Sequence, residues 1–282
     1  MTTLVLYHAQ CNDGFGAAWV AHRHHGKQAE YRAVQYGDAI PKDVDGRDVL
    51  ILDFSFQRPV LLELERRAKS LRVLDHHQTA QDDLAGLEFA VFDLSKSGAT
   101  LTWSHFFPGQ ECPWLLKYIE DRDLWKHSLP YCEEVSAALQ SYRRSFSVWD
   151  SIIEKGLEAL VAEGRPIARY KNRLVKAASS RYRMIELAGY RVPCVTSCVL
   201  QSEIGSRLSA NFPFVAIMFE LGDKRIWSLR SHMTRGINVA EIARQRGGGG
   251  HPNAASFIQR IEDVNPGEKA PQPAAEADEA EG

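Results

Sequence analysis

The stretch KSLRVLDHHQTA, residues 69–80, places three potential ligand side chains directly after a short apolar segment. Its apolar part, LRVL at 71–74, has the length and composition of a buried strand. Asp75, His76 and His77 follow with no spacer. The stretch therefore predicts a strand that holds a carboxylate and two imidazoles at its carboxyl end.

Two other apolar runs end in the same way. LVLY (4–7) is followed by His8, and VLIL (49–52) is followed by Asp53. Amphipathic segments such as RPVLLELERRAKS (58–70) separate these runs, so strands and helices alternate along the chain. This alternation is typical of a parallel α/β sheet, in which the carboxyl ends of the strands open on one crevice. We therefore expect the side chains that follow the three runs to meet at one edge of the sheet.

The composition and length of the chain indicate more than one domain. The whole chain has 282 residues, of which 44% are hydrophobic, enough for two cores. We expect the long helical middle to be interrupted at Gly164 and Pro166, because both residues disfavour a helix interior. The predicted parts are an α/β domain at 1–135, a helical linker at 136–190, a smaller α/β domain at 191–262 and a disordered acidic tail at 263–282.

Composition also excludes several classes of protein. The net charge of −2 gives no general attraction for nucleic acid, so any anion must be held locally. Five cysteines without a CxxC pair indicate reduced thiols, which suits a cytoplasmic location. The N-terminus lacks the features of a signal peptide, and no apolar run reaches the ~18 residues of a membrane span. A soluble cytoplasmic protein that does not bind membranes is the expectation.

Imidazole together with carboxylate suits Mn, Fe, Zn or Co, whereas shells made only of oxygen suit Mg or Ca. Several carboxylates in one cleft would repel each other without cations, so the cluster implies bound metal. Such a cleft can hold two ions, the usual arrangement for hydrolysis of phosphoesters.

The order of the motifs resembles the DHH phosphoesterases of the DHHA1 subfamily. The motifs that carry the resemblance are HAQCNDG (8–14), the strand-end Asp53, DHH (75–77), an Asp within IEDRDLW (119–125) and GGGGH (247–251). The resemblance implies an N-terminal DHH domain with two metals, usually Mn²⁺, a linker and a smaller DHHA1 domain that binds substrate. Mg²⁺, Co²⁺ or Zn²⁺ are alternatives to Mn²⁺.

The resemblance also implies roles for individual residues. Asp53 would bridge the two metals, and Asp75, His76 and His77 would form the catalytic group. The fourth motif leaves Asp121 and Asp123 as competing ligands. The full set of implied metal ligands is His8, Cys11, Asp13, Asp53, Asp75, His76, Asp121 and Asp123.

One residue departs from the pattern of the family. Many relatives have an Asp where this chain has Cys11, and a thiolate favours zinc and iron over magnesium. Cys11 either binds metal or leaves one metal weakly held, and the sequence leaves both alternatives open.

In the second domain, the glycines of GGGGH let backbone N–H groups approach a phosphate closely, and Arg230 offers a planar fork to phosphate. By resemblance, these groups would hold the nucleotide end of a substrate. The implied substrate-binding residues are Arg230, Gly248, Gly249, Gly250 and His251.

These features predict a metal-dependent phosphodiesterase that uses metal-activated water to release nucleoside monophosphates from short or single-stranded nucleic acid or from nucleotide dimers. The alternatives are a pyro- or polyphosphatase of the same superfamily and a non-catalytic nucleotide sensor, which Cys11 would support. The helical middle could be a linker or the surface of a homodimer, and the sequence leaves both open.

Overall fold

The structure, a computed structural model, describes residues 3–9, 11–35 and 37–261. The chain folds into two compact units that divide after Ala177. The predicted acidic tail at 263–282 lies outside the described residues.

The first unit contains a five-stranded parallel sheet with the strand order β2-β1-β3-β4-β5. This confirms the predicted parallel α/β architecture. Strand β2, with the sequence AEYRAV, was not predicted, because it lies at the edge of the sheet, is mostly half-buried and carries charged residues. The strands are β1 Thr3–His8, β2 Ala29–Val34, β3 Asp48–Leu52, β4 Ser70–Asp75 and β5 Ala90–Phe92.

Both faces of this sheet are buried, which explains why its central strands are continuous apolar runs. Leu4 and Leu6 of β1 pack in the same core as Leu61 and Leu64, whereas Val5 packs on the opposite face in a second core. The helices that begin in this unit are α1 Asn12–His25, α2 Arg58–Arg67, α3 Gln78–Asp83, α4 Gly98–Phe106, α5 Trp114–Asp123, α6 Cys132–Ser141, α7 Phe146–Lys155 and α8 Leu157–Ser179.

The expected break at Gly164 and Pro166 is wrong, since α8 is continuous through both residues. Pro166 and Ala162 are exposed, so water can bond the carbonyl group that a proline leaves unpaired. A Cβ at Gly164 would lie 2.0 Å from the carbonyl oxygen of Glu134, so this glycine permits close packing of two helices. The interruption lies instead at Gly156, between α7 and α8, where φ is +86°.

The second unit contains a six-stranded mixed sheet with the order β10-β11-β9-β8-β7-β6, in which only the β7–β8 pair is parallel. Strand β6 lies within the region predicted as a helical linker. A core that includes Phe214, Leu229 and Ile242 fills this unit. Its strands and helices are β6 Arg183–Leu187, β7 Tyr190–Thr196, α9 Gln201–Ser209, β8 Val215–Leu221, β9 Lys224–Arg230, α10 Val239–Arg244, β10 Gly249–His251 and β11 Ala254–Arg260.

None of the helices within the described ranges has both the length and the apolar character needed to cross a membrane.

Candidate metal centre

The register of the parallel sheet brings three predicted ligands into one row. Tyr7 pairs with Leu52, and Leu52 pairs with Leu74. His8, Asp53 and Asp75 each follow one of these residues, so they lie side by side where the three central strands end. The register of the three strands therefore places the residues that follow them at the same level of the sheet.

Asp53 lies at the centre of the cluster. One carboxylate oxygen, Oδ2, accepts a hydrogen bond from Cys11 Sγ at 3.2 Å and lies 3.7 Å from His8 Nδ1. The other oxygen, Oδ1, is 3.0 Å from His76 Nε2. The backbone of Asp53 has φ of +55°, a strained conformation for a residue with a side chain, and such strain is found most often at functional sites.

Asp13 enters the cluster from the first turn of α1. Its carboxylate accepts hydrogen bonds from the backbone N–H groups of Gly98, at 2.5 Å, and Ala99, at 2.9 Å. These N–H groups lie in the first turn of α4, where they have no acceptor within the helix and where the helix dipole favours negative charge. A Cβ at Gly98 would lie 2.5 Å from Cβ of Asp53, so only glycine fits between the two carboxylates.

The DHH triplet, Asp75 to His77, supplies the remaining side chains of the cluster. Oδ1 of Asp75 accepts hydrogen bonds from the backbone N–H of His76, at 2.7 Å, and from Nδ1 of His77, at 2.6 Å. Oδ2 of Asp75 is buried and has no hydrogen-bond partner in the described part of the chain. A buried carboxylate oxygen without a partner costs free energy, and a bound cation would remove that cost.

The two competing carboxylates of the fourth motif have different surroundings. Asp123 Oδ2 lies 3.6 Å from His76 Nε2, and Asp13, His76 and Asp123 form one group with ligand atoms within 4.8 Å of each other. Asp121 accepts hydrogen bonds from both the backbone N–H and the hydroxyl group of Ser128, at 2.8 and 2.6 Å. Asp123 therefore lies with other candidate ligands, whereas one oxygen of Asp121 bonds to the turn that follows α5; which of the two binds metal stays a prediction.

The charges of the cluster fit divalent cations. Burial raises the pKa of Asp13 well above its usual value, and the carboxylates of Asp53 and Asp123 raise it further. Burial likewise raises the pKa of Asp123, although His76 opposes the shift. Buried carboxylates with raised pKa values are stabilised when metal replaces their protons.

The histidines of the cluster compensate part of this charge. Burial disfavours protonation of His76, but its hydrogen bond to Asp53 and the negative charges of Asp53, Asp13 and Asp123 together outweigh burial and raise its pKa to about 10. Burial also raises the pKa of Asp53, but hydrogen bonds with His76 and then His8 leave it well below its usual value. The pKa of His77 is raised, because Asp75 outweighs the opposing effect of burial.

Cys11 is the N-cap residue of α1, where its sulfur accepts the backbone N–H of Gly14 at 3.0 Å. Burial, followed by the nearby Asp53 and Asp13, raises the thiol pKa well above its usual value. His8, Cys11 and Asp53 form a second group of potential ligands within 4.8 Å. The five cysteines of the chain are all free thiols, as the sequence predicted.

In the second unit, the glycine segment predicted to bind phosphate has a clear packing role. Strand β10 pairs with β11, and a Cβ would lie 2.0 Å from the carbonyl oxygen of Ser256 at Gly248 and 2.5 Å from that of Ala254 at Gly250. Gly249 has no atom within 4 Å of such a Cβ. Substrate binding by Gly248, Gly249, Gly250 and His251 stays a prediction.

Arg230, the other predicted phosphate ligand, ends strand β9. Its guanidinium donates hydrogen bonds to the carbonyl oxygen of Leu229, at 2.9 Å, and to Ser202 Oγ, at 3.2 Å. The side chain is half-buried, so its head group is held against α9. Its role in substrate binding also stays a prediction.

The contribution of α4 to the cluster comes from its backbone. Gly98 and Ala99 orient Asp13 through backbone N–H groups, which no side-chain motif can show. The sequence SGAT at 97–100 does mark the start of α4, because Ser97 and Thr100 form a capping box there. Arg144, which belongs to none of the sequence motifs, donates a hydrogen bond from Nε to Asn12 Oδ1 at 3.2 Å, and Asn12 lies between Cys11 and Asp13 in the chain.

Comparison with known proteins gives one relative in sequence and several similar structures. No family model matches the chain. The uncharacterized protein R106 of Acanthamoeba polyphaga mimivirus is 29% identical over 285 residues, which cover 90% of this chain and 66% of that protein. The chain therefore spans just under two thirds of the length of this relative.

Among solved structures, the fold is similar to that of PggH, a pGpG-specific phosphodiesterase from Vibrio cholerae. The TM-score is 0.52 at 13% identity, and the alignment covers 93% of this chain and 95% of PggH. RecJ from Thermus thermophilus, solved in complex with Mn²⁺, gives a TM-score of 0.49 at 16% identity and covers 93% of this chain and 50% of RecJ. The likeness to PggH is one of fold.

Proposed function

We propose that the protein is a DHH-type, metal-dependent phosphodiesterase that hydrolyses short or single-stranded nucleic acid or nucleotide dimers to nucleoside monophosphates. The observation that carries this proposal is the position of Asp53, whose two carboxylate oxygens face different sets of ligand side chains. The fold shared with PggH, itself a phosphodiesterase, supports the reaction class.

The proposed metal-binding residues are His8, Cys11, Asp13, Asp53, Asp75, His76 and Asp123. Divalent cations, when bound, would supply the charge that activates water and neutralises the phosphate oxygens. Asp121 is not included, because its carboxylate bonds to Ser128.

His77 is the proposed proton donor of the site. Asp75 accepts a hydrogen bond from Nδ1 of His77 and so fixes the orientation and tautomer of the ring. An imidazole oriented by a carboxylate suits protonation of a leaving oxygen. Under this proposal, Asp75 both faces the cations and positions His77.

The experiment is a hydrolysis panel in Mn²⁺ with the full chain. The substrates are a dinucleotide, a longer single-stranded oligonucleotide, a cyclic dinucleotide and tripolyphosphate. We expect turnover of the short nucleotide substrates and its loss in Asp75→Asn, which keeps the size of the side chain. Hydrolysis of tripolyphosphate alone would indicate a polyphosphatase, and tight nucleotide binding without hydrolysis in Mn²⁺, Co²⁺ or Zn²⁺ would indicate a sensor.

A further inference from the structure

The cluster has two halves that share Asp53. Oδ2 of Asp53 faces Cys11 Sγ and His8 Nδ1, at 3.2 and 3.7 Å. Oδ1 faces His76 Nε2 at 3.0 Å, and the same nitrogen lies 3.5 Å from Asp13 Oδ2. We name the first half, His8, Cys11 and Asp53, the sulfur subsite. The second half, Asp13, Asp53, His76 and Asp123, is the carboxylate subsite.

The two subsites differ in chemical softness. The sulfur subsite offers one sulfur, one imidazole and one carboxylate, whereas the carboxylate subsite offers three carboxylates and one imidazole. Soft thiolate ligands select zinc, and carboxylates suit manganese and magnesium. We infer that the sulfur subsite binds Zn²⁺ and that the carboxylate subsite binds Mn²⁺ or Mg²⁺, an inference that rests on the proposed two-metal function.

The distances in the sulfur subsite lie close to those of a zinc site. Tetrahedral zinc, with bonds of about 2.0–2.3 Å, separates its ligand atoms by roughly 3.3–3.6 Å. The observed separations from Asp53 Oδ2 are 3.2 Å to Cys11 Sγ, just below that range, and 3.7 Å to His8 Nδ1, just above it, so only a small adjustment of the side chains would be needed. A set of three protein donors is also the number found in catalytic zinc sites.

The position of Cys11 is fixed before metal binds. Its sulfur caps α1 by accepting the N–H of Gly14 at 3.0 Å, so the side chain already points toward Asp53. On binding, the sulfur–zinc bond forms with the electron pair of the S–H bond, and the thiol proton leaves to solvent. Asp75, whose Oδ2 is buried without a hydrogen-bond partner among the described residues, groups with Asp53, His76 and His77 and is an independent indication that a cation binds beside the shared Asp53.

The capping role of Cys11 allows variants that remove the sulfur without removing the cap. Serine and aspartate are both good N-cap residues, so Cys11→Ser and Cys11→Asp keep the cap of α1 while removing the soft ligand. Cys11→Asp converts the sulfur subsite to an oxygen-rich one. Cys198→Ser removes an exposed thiol outside the cluster and is the matched control for adventitious binding.

The experiment replaces zinc with Co²⁺ in the full chain and records the electronic absorption spectrum. We expect a thiolate-to-cobalt charge-transfer band in the wild type and in Cys198→Ser, and no band in either Cys11 variant. Titration with Zn²⁺ should show an affinity at least about 10–100-fold lower in Cys11→Ser, the cost already typical of losing an outer-sphere partner. Cys11→Asp should bind Mn²⁺ more tightly than the wild type.

The outcomes separate this inference from the proposed function. A wild-type protein that hydrolyses nucleotides but shows no band, with Zn²⁺ affinity unchanged in Cys11→Ser, overturns the zinc assignment and leaves the function intact. A band that depends on Cys11, in a protein that hydrolyses none of the substrates, supports the zinc assignment and overturns the function. Loss of the band in Cys198→Ser would place the metal elsewhere.

Discussion

Gly98→Ala is the most direct test of how the site is built. The new Cβ would lie 2.5 Å from Cβ of Asp53 and 2.7 Å from its Oδ1. Carbon atoms in contact are normally about 3.5–4.0 Å apart, so either Asp53 or the N-terminus of α4 must move by about 1 Å. That movement displaces the carboxylate proposed to bridge both cations and the amide groups that orient Asp13.

The expected effects follow from this displacement. Overpacking in a core costs about 1–3 kcal/mol of stability. A misplacement of about 1 Å at a reacting centre costs about 100-fold in rate, and we expect a similar or smaller loss of Mn²⁺ affinity. Calorimetric titration with Mn²⁺, urea unfolding and the hydrolysis panel measure the three quantities separately.

Gly164→Ala is the matched control. A Cβ at Gly164, in α8, would lie 2.0 Å from the carbonyl oxygen of Glu134 in α6, so the same unit is overpacked without contact to Asp53 or to the groups that orient Asp13. We expect a comparable loss of stability but less change in Mn²⁺ affinity. Equal Mn²⁺ affinity and equal turnover in the two variants would refute the role assigned to Asp53.

Three further predictions concern pH, the fourth motif and the second unit. In the metal-free protein the pKa values of Asp13 and Asp123 are raised, so the folded state keeps their protons to higher pH than the unfolded state does, and stability falls as pH rises through the raised values. Bound Mn²⁺ replaces those protons. The rise in Tm on adding Mn²⁺ should therefore grow from mildly acidic to neutral pH. At a Mn²⁺ concentration of 100 times Kd, the free energy of unfolding should rise by about 2.7 kcal/mol, and EDTA should remove this increase. A Tm that does not change with Mn²⁺ would contradict the metal centre. Asp123→Ala should bind Mn²⁺ more weakly in titrations. Asp121→Ala should lower the free energy of unfolding in urea by about 1–3 kcal/mol, because Ser128 loses its acceptor. The reverse pattern would make Asp121 the metal ligand. Arg230→Ala should raise KM with little change in kcat in steady-state kinetics; an unchanged KM would remove Arg230 from the substrate site.

The sequence was sufficient to predict the parallel sheet and to place His8, Asp53 and Asp75 of the candidate site at one edge of it. Strands buried on both faces must be continuous apolar runs, so LVLY, VLIL and LRVL were recognisable without any tertiary information. Once the strands are parallel, the residues that follow them must meet at one edge. His8, Asp53 and Asp75 therefore formed a row that the motif order already implied. Edge strand β2 escaped notice because it is only partly buried and carries charges.

Tertiary structure alone decided the remaining questions, because they depend on the direction of side chains and on contacts distant in sequence. Asp121 and Asp123 are two residues apart on one helix and so point in different directions, and the position where α5 ends brings Asp123 to His76. The need for glycine at position 98 arises from a carboxylate 45 residues earlier in the chain. No local pattern records either contact, since both are created by tertiary packing, in which α4 lies against β3 and β4 and α5 lies against α1 and α4.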